Sequence, residues 1–84
     1  EFDRAAEEFA TLVQNGSVTD EDKLKAYGLF KQSKNGDNNT AEPGIFRPTE
    51  SAKWKAWTAN KGISQEAAQA QYIALIEEYK GKYK

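Results

Sequence analysis

Tyr27 and Lys31 lie four residues apart, and their hydroxyl and ammonium groups are the first candidates for a functional pair. Four residues make just over one helical turn, so a helix would place the tyrosine hydroxyl and the lysine ammonium on the same face. Phe30 lies beside the pair, and Leu24 precedes Tyr27 by about one turn. A tyrosine half-buried at the edge of a bundle, with a lysine extended alongside it, would explain the same residues without any ligand. The spacing alone leaves both interpretations open.

Lys53 and Tyr72 are two further candidates. Lys53 comes four residues before Trp57, so its ammonium can lie over an apolar helix face. Tyr72 belongs to an otherwise apolar stripe, and a buried tyrosine ring needs a partner for its hydroxyl. Packing in a core is the preferred explanation of Trp54 and Trp57, and a core tyrosine with a satisfied hydroxyl would explain Tyr72.

The composition gives little support to catalysis or metal binding. The chain has no histidine and no cysteine, which excludes the commonest general base, thiolate nucleophiles and histidine or cysteine zinc sites. Adjacent acids such as Glu7 and Glu8 do not face each other on a helix and form no acid–base pair. The segment "GDNNT" lacks the bidentate glutamate that completes a calcium loop. We expect no enzyme, no metal and no cofactor.

Length and charge narrow the choice of protein class. A chain of 84 residues has material for one core, so residues 1–84 are predicted to form a single domain. The formal charge of -1, from 12 basic and 13 acidic residues, argues against a nucleic-acid partner. The lack of cysteine fits a reducing cytoplasmic setting, and no apolar run reaches the roughly 20 residues of a membrane span. We expect a cytoplasmic, soluble protein without stable membrane insertion.

Helical periodicity, caps and glycine stops predict four helices and an all-α fold. The predicted helices cover residues 1–14, Ser17 or Thr19 to about Lys34, Thr49 or Ser51 to Lys61, and Ser64 onward. The predicted packing residues of the first helix are Phe2, Ala5, Ala6, Phe9, Leu12 and Val13. Those of the third helix are Ala52, Trp54, Ala56, Trp57 and Ala59, and those of the fourth are Ala68, Tyr72, Leu75, Ile76 and Tyr79.

A long polar loop, "GDNNTAEPGIFRP", separates the second and third helices. Ile45 and Phe46 are its large apolar residues, and we expect them to hold the loop against the core. The 13 residues from Gly36 to Pro48 can stretch to about 40 Å, whereas the preceding helix is only about 22 Å long. The loop can therefore return to the starting end of that helix, so the second and third helices can run parallel.

With these features in place, the whole chain resembles the acyl-CoA-binding protein family. The resemblance is carried by "YGLFKQSKNGDNNTAEPG", "AKWKAW", "GISQEAAQAQYI" and the opening "EFDRAAEEF", which agree with the family in order and spacing. It implies an up-down-down-up four-helix bundle, in agreement with the parallel pair inferred from the loop.

The resemblance also implies site residues. Tyr27, Phe30, Lys31, Lys53 and Tyr72 fall on positions that contact the coenzyme A head group in the family. Lys31 and Lys53 would meet the ribose 3′-phosphate, Tyr27 would donate its hydroxyl to it, and the rings would frame the adenine.

The chain departs from the family at three places. Phe30 stands where many members have tyrosine, which removes a hydroxyl but keeps a ring for stacking. Ala10 stands where many members have a phosphate-contacting lysine, so that contact is lost or supplied from elsewhere. The first connection, residues 15–19, is two residues longer.

The implied function is a carrier that binds medium- and long-chain fatty acyl-CoA esters, such as palmitoyl-CoA, as a monomer. It would maintain an intracellular pool of these esters and deliver them transiently to enzymes and membranes. The predicted acyl-chain groove is formed by Phe2, Ala6, Phe9, Leu24 and Ala52, although a core position explains each of them as well. Two alternatives are a helical protein-interaction module and an enzyme acting on CoA thioesters, in which a lone lysine or glutamate would have to catalyse.

Overall fold

A computed structural model describes residues 2–16 and 18–83 and folds them into four helices. These are α1, Phe2–Gln14; α2, Asp20–Asn35; α3, Pro48–Thr58; and α4, Gln65–Lys82. No strand occurs within the described residues, and the predicted all-α fold is confirmed. No helix in this part of the chain is long and apolar enough to span a membrane.

Polar caps begin α2 and α4 as the sequence predicts. The Thr19 hydroxyl accepts a hydrogen bond from the Asp22 backbone N–H at 3.2 Å. The Ser64 hydroxyl accepts one from the Ala67 N–H at 3.1 Å. Each bond satisfies a backbone donor that the first helical turn leaves free. The alternative cap at Ser17 lies outside the described residues.

The limits of α3 differ from the prediction at both ends. The helix begins at Pro48 rather than at Thr49 or Ser51, because a proline in the first turn gives up no intrahelical hydrogen bond. It ends at Thr58 rather than Lys61. Beyond Thr58 the chain turns more tightly, and the Lys61 N–H bonds the Thr58 carbonyl at 3.0 Å.

The core lies along the inner face of α4. All five residues predicted for its stripe, Ala68, Tyr72, Leu75, Ile76 and Tyr79, are buried. Of the five packing residues predicted for the third helix, only Trp57 is buried. Ala59 is exposed, so its prediction as a packing residue is wrong, because it lies beyond the helix end.

Contacts with α4 fix the directions of α1 and α2. At one end of α2, the Tyr79 hydroxyl donates to the Asp22 carbonyl at 3.0 Å. At the other end, the Gln65 amide donates to the Lys34 carbonyl at 3.0 Å. The two helices are therefore antiparallel. By the same reasoning α1 is parallel to α4, because Phe2 contacts Tyr72 and Phe9 contacts Tyr79.

The second and third helices run parallel, as the loop length predicted. Leu24 lies beside Ala52, and Lys31 lies beside Trp57, so residue numbers increase together along both helices. Gly28 permits this close approach, because a Cβ there would lie 2.8 Å from the Ala56 carbonyl carbon. The bundle is up-down-down-up.

Polar contacts hold the crossover loop, residues 36–47, against α3. The Asn38 amide donates to the Thr58 hydroxyl at 2.9 Å, and the Trp54 indole donates to the Thr40 carbonyl at 3.0 Å. Ile45 and Phe46 do not hold the loop, contrary to prediction, since they are 89% and 91% exposed. Both occupy a turn after Pro43–Gly44 that projects from the bundle.

The last turn of α4 is tied to the first turn of α2 through Asp22. Its carboxylate accepts hydrogen bonds from the Lys82 ammonium at 2.7 Å and from the Tyr83 hydroxyl. These two bonds lower the pKa of Asp22. Because the two bonds stabilise the charged carboxylate, they hold α4 to α2 when Asp22 is deprotonated.

Candidate functional site

A shallow cleft lies between α2, α3 and the crossover loop, and we call it the cationic cleft. It has a volume of about 190 Å³ and is lined by Tyr27, Lys31, Thr40, Ala41, Pro43, Glu50, Lys53, Trp54 and Trp57. Tyr27 and Lys31 share one face of α2, and the parallel arrangement of α3 brings Lys53 opposite them.

The two lysines of this cleft lie over aromatic rings. The Lys31 Nζ is 4.9 Å from the centroid of the Trp57 ring, and the Lys53 Nζ is 5.5 Å from that of Tyr27. Such cation–π contacts orient an ammonium without neutralising its charge. Within residues 2–16 and 18–83, neither lysine forms an ion pair. The cleft therefore offers two positive charges to an anion.

A second cleft, the aromatic cleft, lies between α1, α2 and α4. It has a volume of about 250 Å³ and is lined by Ala6, Phe9, Ala26, Tyr27, Phe30 and Tyr72. Phe30 stacks on Phe2 with 5.6 Å between ring centroids and lies 5.8 Å from the Tyr72 ring. Such a surface suits a planar, apolar or aromatic group.

Tyr72 keeps its proton at neutral pH. Burial raises the pKa of its hydroxyl to about 12, because the phenolate would lose its hydration. A group bound in the aromatic cleft would therefore meet a neutral hydroxyl and not a negative charge.

A third cleft, the apolar cleft, lies between the first turns of α2 and α3. Its volume is about 410 Å³, and it is lined by Asp20, Lys23, Leu24, Pro48, Thr49, Ala52 and Lys53. Lys53 also lines the cationic cleft, and Tyr27 lines both the cationic and the aromatic clefts. The three clefts thus form a continuous surface with the lysines at its centre.

The residues predicted for the site line these clefts, with the exception of Phe2, but they lie in separate places. Tyr27, Lys31 and Lys53 lie in the cationic cleft, while Phe30 and Tyr72 lie in the aromatic cleft. The predicted groove residues are divided. Ala6 and Phe9 line the aromatic cleft, and Leu24 and Ala52 line the apolar cleft. Phe2 stacks on Phe30 beside the aromatic cleft.

Lys34 and the crossover loop are parts of this surface that the sequence reasoning missed. The Lys34 Nζ is 5.6 Å from the Phe2 ring centroid and 5.9 Å from that of Phe30. Its position four residues after Phe30 was a usable signal, because this spacing places both on one helix face. No sequence pattern could predict that Thr40, Ala41 and Pro43 line the cleft, since the conformation of a loop depends on its tertiary contacts.

A fourth cavity lies between α1 and α4, and its lysine is paired with carboxylates. It is lined by Arg4, Ala5, Glu8, Ile73, Glu77 and Lys80. Lys80 pairs there with Glu8 at 2.7 Å and with Glu77 at 3.0 Å. In the described part of the chain, no cluster of three or more acidic side chains could hold a metal ion.

Comparison with known proteins identifies related chains over nearly the whole length. A family model described as "Acyl CoA binding protein" matches residues 1–76. The acyl-CoA-binding protein homolog of Drosophila melanogaster is 45% identical over 83 residues, which cover 99% of this chain and 94% of that protein. Acyl-CoA-binding protein homolog 1 of Caenorhabditis elegans is 45% identical over 82 residues, covering 98% and 93%.

A solved structure agrees with the fold. The crystal structure of acyl-CoA-binding protein 2 from Oryza sativa is similar with a TM-score of 0.76 and 36% sequence identity. The match covers 93% of this chain and 90% of that one.

Proposed function

The chain belongs to the acyl-CoA-binding protein family, and from that premise we propose that it binds fatty acyl-CoA esters as a non-catalytic carrier. The observation that carries the proposal is the position of Lys31 and Lys53. Among the described residues no carboxylate pairs with them, and they lie at the centre of a surface that is aromatic on one side and apolar on the other. An acyl-CoA has matching parts, because its phosphates adjoin an adenosine at one end and a hydrocarbon tail forms the other end.

In this proposal, Lys31, Lys53 and Tyr27 bind the ribose 3′-phosphate. Two ammonium groups and a hydroxyl can each donate to a phosphate oxygen, and such charge-assisted hydrogen bonds are about twice as strong as neutral ones. The rings that now hold the lysines would keep them oriented, which reduces the entropy lost on binding.

The adenine would lie in the aromatic cleft against Tyr27, Phe30 and Tyr72. Stacking of a base on an aromatic ring contributes about 1–3 kcal/mol and does not require a hydroxyl. Phe30 is therefore sufficient where a tyrosine would also serve.

Lys34 would supply the phosphate contact that a lysine at position 10 would otherwise make. Residue 10 is an exposed alanine on α1, whereas the Lys34 ammonium lies within 6 Å of both Phe2 and Phe30. From beside the Phe30 ring it could reach a phosphate next to a base bound in the aromatic cleft.

The acyl chain would lie over Leu24 and Ala52 in the apolar cleft, with Phe2, Ala6 and Phe9 as the apolar surface across Tyr27. Removing a 16-carbon tail from water contributes about 12 kcal/mol gross, at about 0.8 kcal/mol per CH₂, before the cost of ordering the ligand. The tail thus supplies most of the affinity, and medium- and long-chain esters such as palmitoyl-CoA are the expected ligands.

The cellular role follows from tight, non-catalytic binding. Residues 1–84 would act as one acyl-CoA-binding domain and as a monomer in the cytoplasm, keeping a pool of esters and releasing them to enzymes that use them.

Isothermal titration calorimetry tests the proposal. Palmitoyl-CoA, below its micelle concentration, should bind tightly with one molecule per chain, free CoA weakly, and palmitate not at all. Circular dichroism would confirm that the protein is folded. Absence of heat with palmitoyl-CoA would reject the carrier function in favour of a protein-interaction module, and release of free thiol during incubation would indicate an enzyme.

A further inference from the structure

The largest departure from ordinary burial is at the tip of the crossover loop. Ile45 and Phe46 are 89% and 91% exposed, and they are the exposed large hydrophobic side chains of the described residues. Single apolar residues on a surface are common, but two adjacent ones that are almost wholly in water point to an interaction.

The local backbone presents both side chains outward. The Arg47 N–H donates to the Gly44 carbonyl at 3.0 Å, which closes a turn with Ile45 and Phe46 at its two central positions. Pro43 before the turn and Pro48 after it restrict the backbone. The apolar tip is therefore already formed, and it requires little ordering when it binds.

The tip adjoins the apolar cleft. Pro48 and Thr49 follow the turn directly and line that cleft together with Leu24 and Ala52. A surface bound by Ile45 and Phe46 would thus lie next to the groove proposed for the acyl chain.

We propose that the Ile45–Phe46 tip docks on a lipid bilayer, inserting both side chains into the interfacial region so that the apolar cleft faces the membrane. Arg47, which is exposed beside them, would lie at the level of the lipid phosphates. The choice of a bilayer rests on the proposed function, because fatty acyl esters partition into membranes and a carrier must take them up there.

The size of the patch favours lipid over a protein partner. Two side chains supply at most roughly 400 Å² of apolar surface, whereas a stable protein interface buries about 800 Å² on each side. A bilayer requires no complementary surface, and a small apolar insertion gives weak, reversible binding. This mode of contact allows the carrier to leave with its ligand.

Vesicle co-sedimentation tests the docking directly. Wild type and the double variant Ile45→Ser/Phe46→Ser would be mixed with phosphatidylcholine vesicles, with and without phosphatidylserine. The variant should lose about tenfold or more in partition coefficient, since it no longer buries two large apolar side chains. The matched control is Ala59→Ser, which changes an exposed apolar residue beyond α3 and should partition as wild type does.

The outcomes separate this proposal from the proposed function. In solution, the double variant should bind palmitoyl-CoA with wild-type affinity, because neither residue lines a cleft. Equal partitioning of wild type and the double variant would overturn the docking. The docking would also be overturned if wild type did not bind vesicles and instead formed a dimer in sedimentation velocity that Ile45→Ser/Phe46→Ser abolished. A wild type that sediments with vesicles through this tip but does not bind palmitoyl-CoA would support the docking and reject the carrier function.

Discussion

Lysine residues in this protein serve two different purposes. The Lys80 ammonium pairs with the Glu8 carboxylate and the Lys82 ammonium with the Asp22 carboxylate, each at 2.7 Å. These ion pairs help to hold the helices together. Lys31 and Lys53 instead lie over aromatic rings and leave their charge available. Binding and stability can therefore be separated by substitution.

Replacing Lys31 or Lys53 with alanine should weaken palmitoyl-CoA binding by roughly 10- to 100-fold, because each variant loses a charge-assisted hydrogen bond to phosphate. The thermal midpoint should change by only a few degrees, since neither side chain forms an ion pair in the described structure. Calorimetric titration and thermal unfolding measure the two effects. Lys55→Ala, an exposed residue of α3 outside the clefts, is the control.

A ligand without the 3′-phosphate identifies the contact. Palmitoyl-3′-dephospho-CoA should bind wild type more weakly than palmitoyl-CoA does. Lys31→Ala should discriminate far less between the two ligands. If it discriminates as strongly as wild type, Lys31 does not bind that phosphate.

Lys34→Gln should weaken palmitoyl-CoA binding by about two- to fivefold, because this exposed cation makes a more solvated contact than Lys31. Lys25→Gln removes an exposed charge from the opposite face of α2 and should leave affinity unchanged. Equal affinities for Lys34→Gln and wild type would show that Lys34 is not part of the site.

At the scale of helices, the contact between α2 and α3 depends on Gly28. Gly28→Ala should destabilise the protein by roughly 1–3 kcal/mol through overpacking, although alanine is the better helix former. The added Cβ would lie 2.8 Å from both the Ala56 carbonyl carbon and the Asn60 side-chain nitrogen. Palmitoyl-CoA binding should also weaken, because separating the helices separates Lys31 from Lys53.

Gly81→Ala is the matched control for this substitution. Gly81 also lies in a helix, but its Cβ would meet no atom within 4 Å. Chemical denaturation should show unchanged or slightly increased stability, by up to about 1 kcal/mol. A Gly28→Ala variant as stable as Gly81→Ala would contradict the close packing.

The tie between α4 and α2 should depend on pH. The pKa of Asp22 is lowered by hydrogen bonds from Lys82 and Tyr83, so this carboxylate stabilises the fold above its unfolded pKa of about 3.9. The contribution is lost as the pH falls through the lower folded value. Asp22→Asn should therefore have a lower melting temperature than wild type at pH 7, and the difference between the two melting temperatures should disappear at acid pH. If the difference in melting temperature stayed constant between pH 7 and acid pH, the charged Asp22 carboxylate would not be what holds α4 to α2.

Much of the helix structure was predictable from local sequence. Thr19 and Ser64 cap helices because their hydroxyls act within one turn, and the α4 stripe follows from periodicity. The end of α3 and the exposure of Ile45 and Phe46 were not predictable. Hydrophobicity favours burial of Ile45 and Phe46, but a turn restricted by two prolines directs them outward, which local composition does not reveal.

At the scale of the whole molecule, the length of the crossover loop predicted the parallel α2 and α3, and the family resemblance selected the site residues. Neither could predict that these residues divide among three connected clefts, or that Lys34 reaches Phe2, since such facts depend on how the four helices pack.

The ligand should stabilise the whole bundle, because the proposed site draws on all four helices. At a free concentration about 100 times the Kd, palmitoyl-CoA should add about 2.7 kcal/mol to the free energy of unfolding. For a domain of this size, that raises the melting temperature by roughly 10–20 °C. Calorimetric scanning would show the shift with palmitoyl-CoA and none with palmitate. Equal shifts would show that the head group is not recognised.

The most direct test of the central claim, that one acyl-CoA spans the three clefts, is an isotope-filtered NOE spectrum of the complex with palmitoyl-CoA. We predict contacts from the acyl methylenes to Leu24 and Ala52, and from the adenine protons to the rings of Tyr27 and Phe30. Acyl contacts with Arg4 and Ile73 in the cavity between α1 and α4, without any to Leu24 or Ala52, would contradict this binding mode.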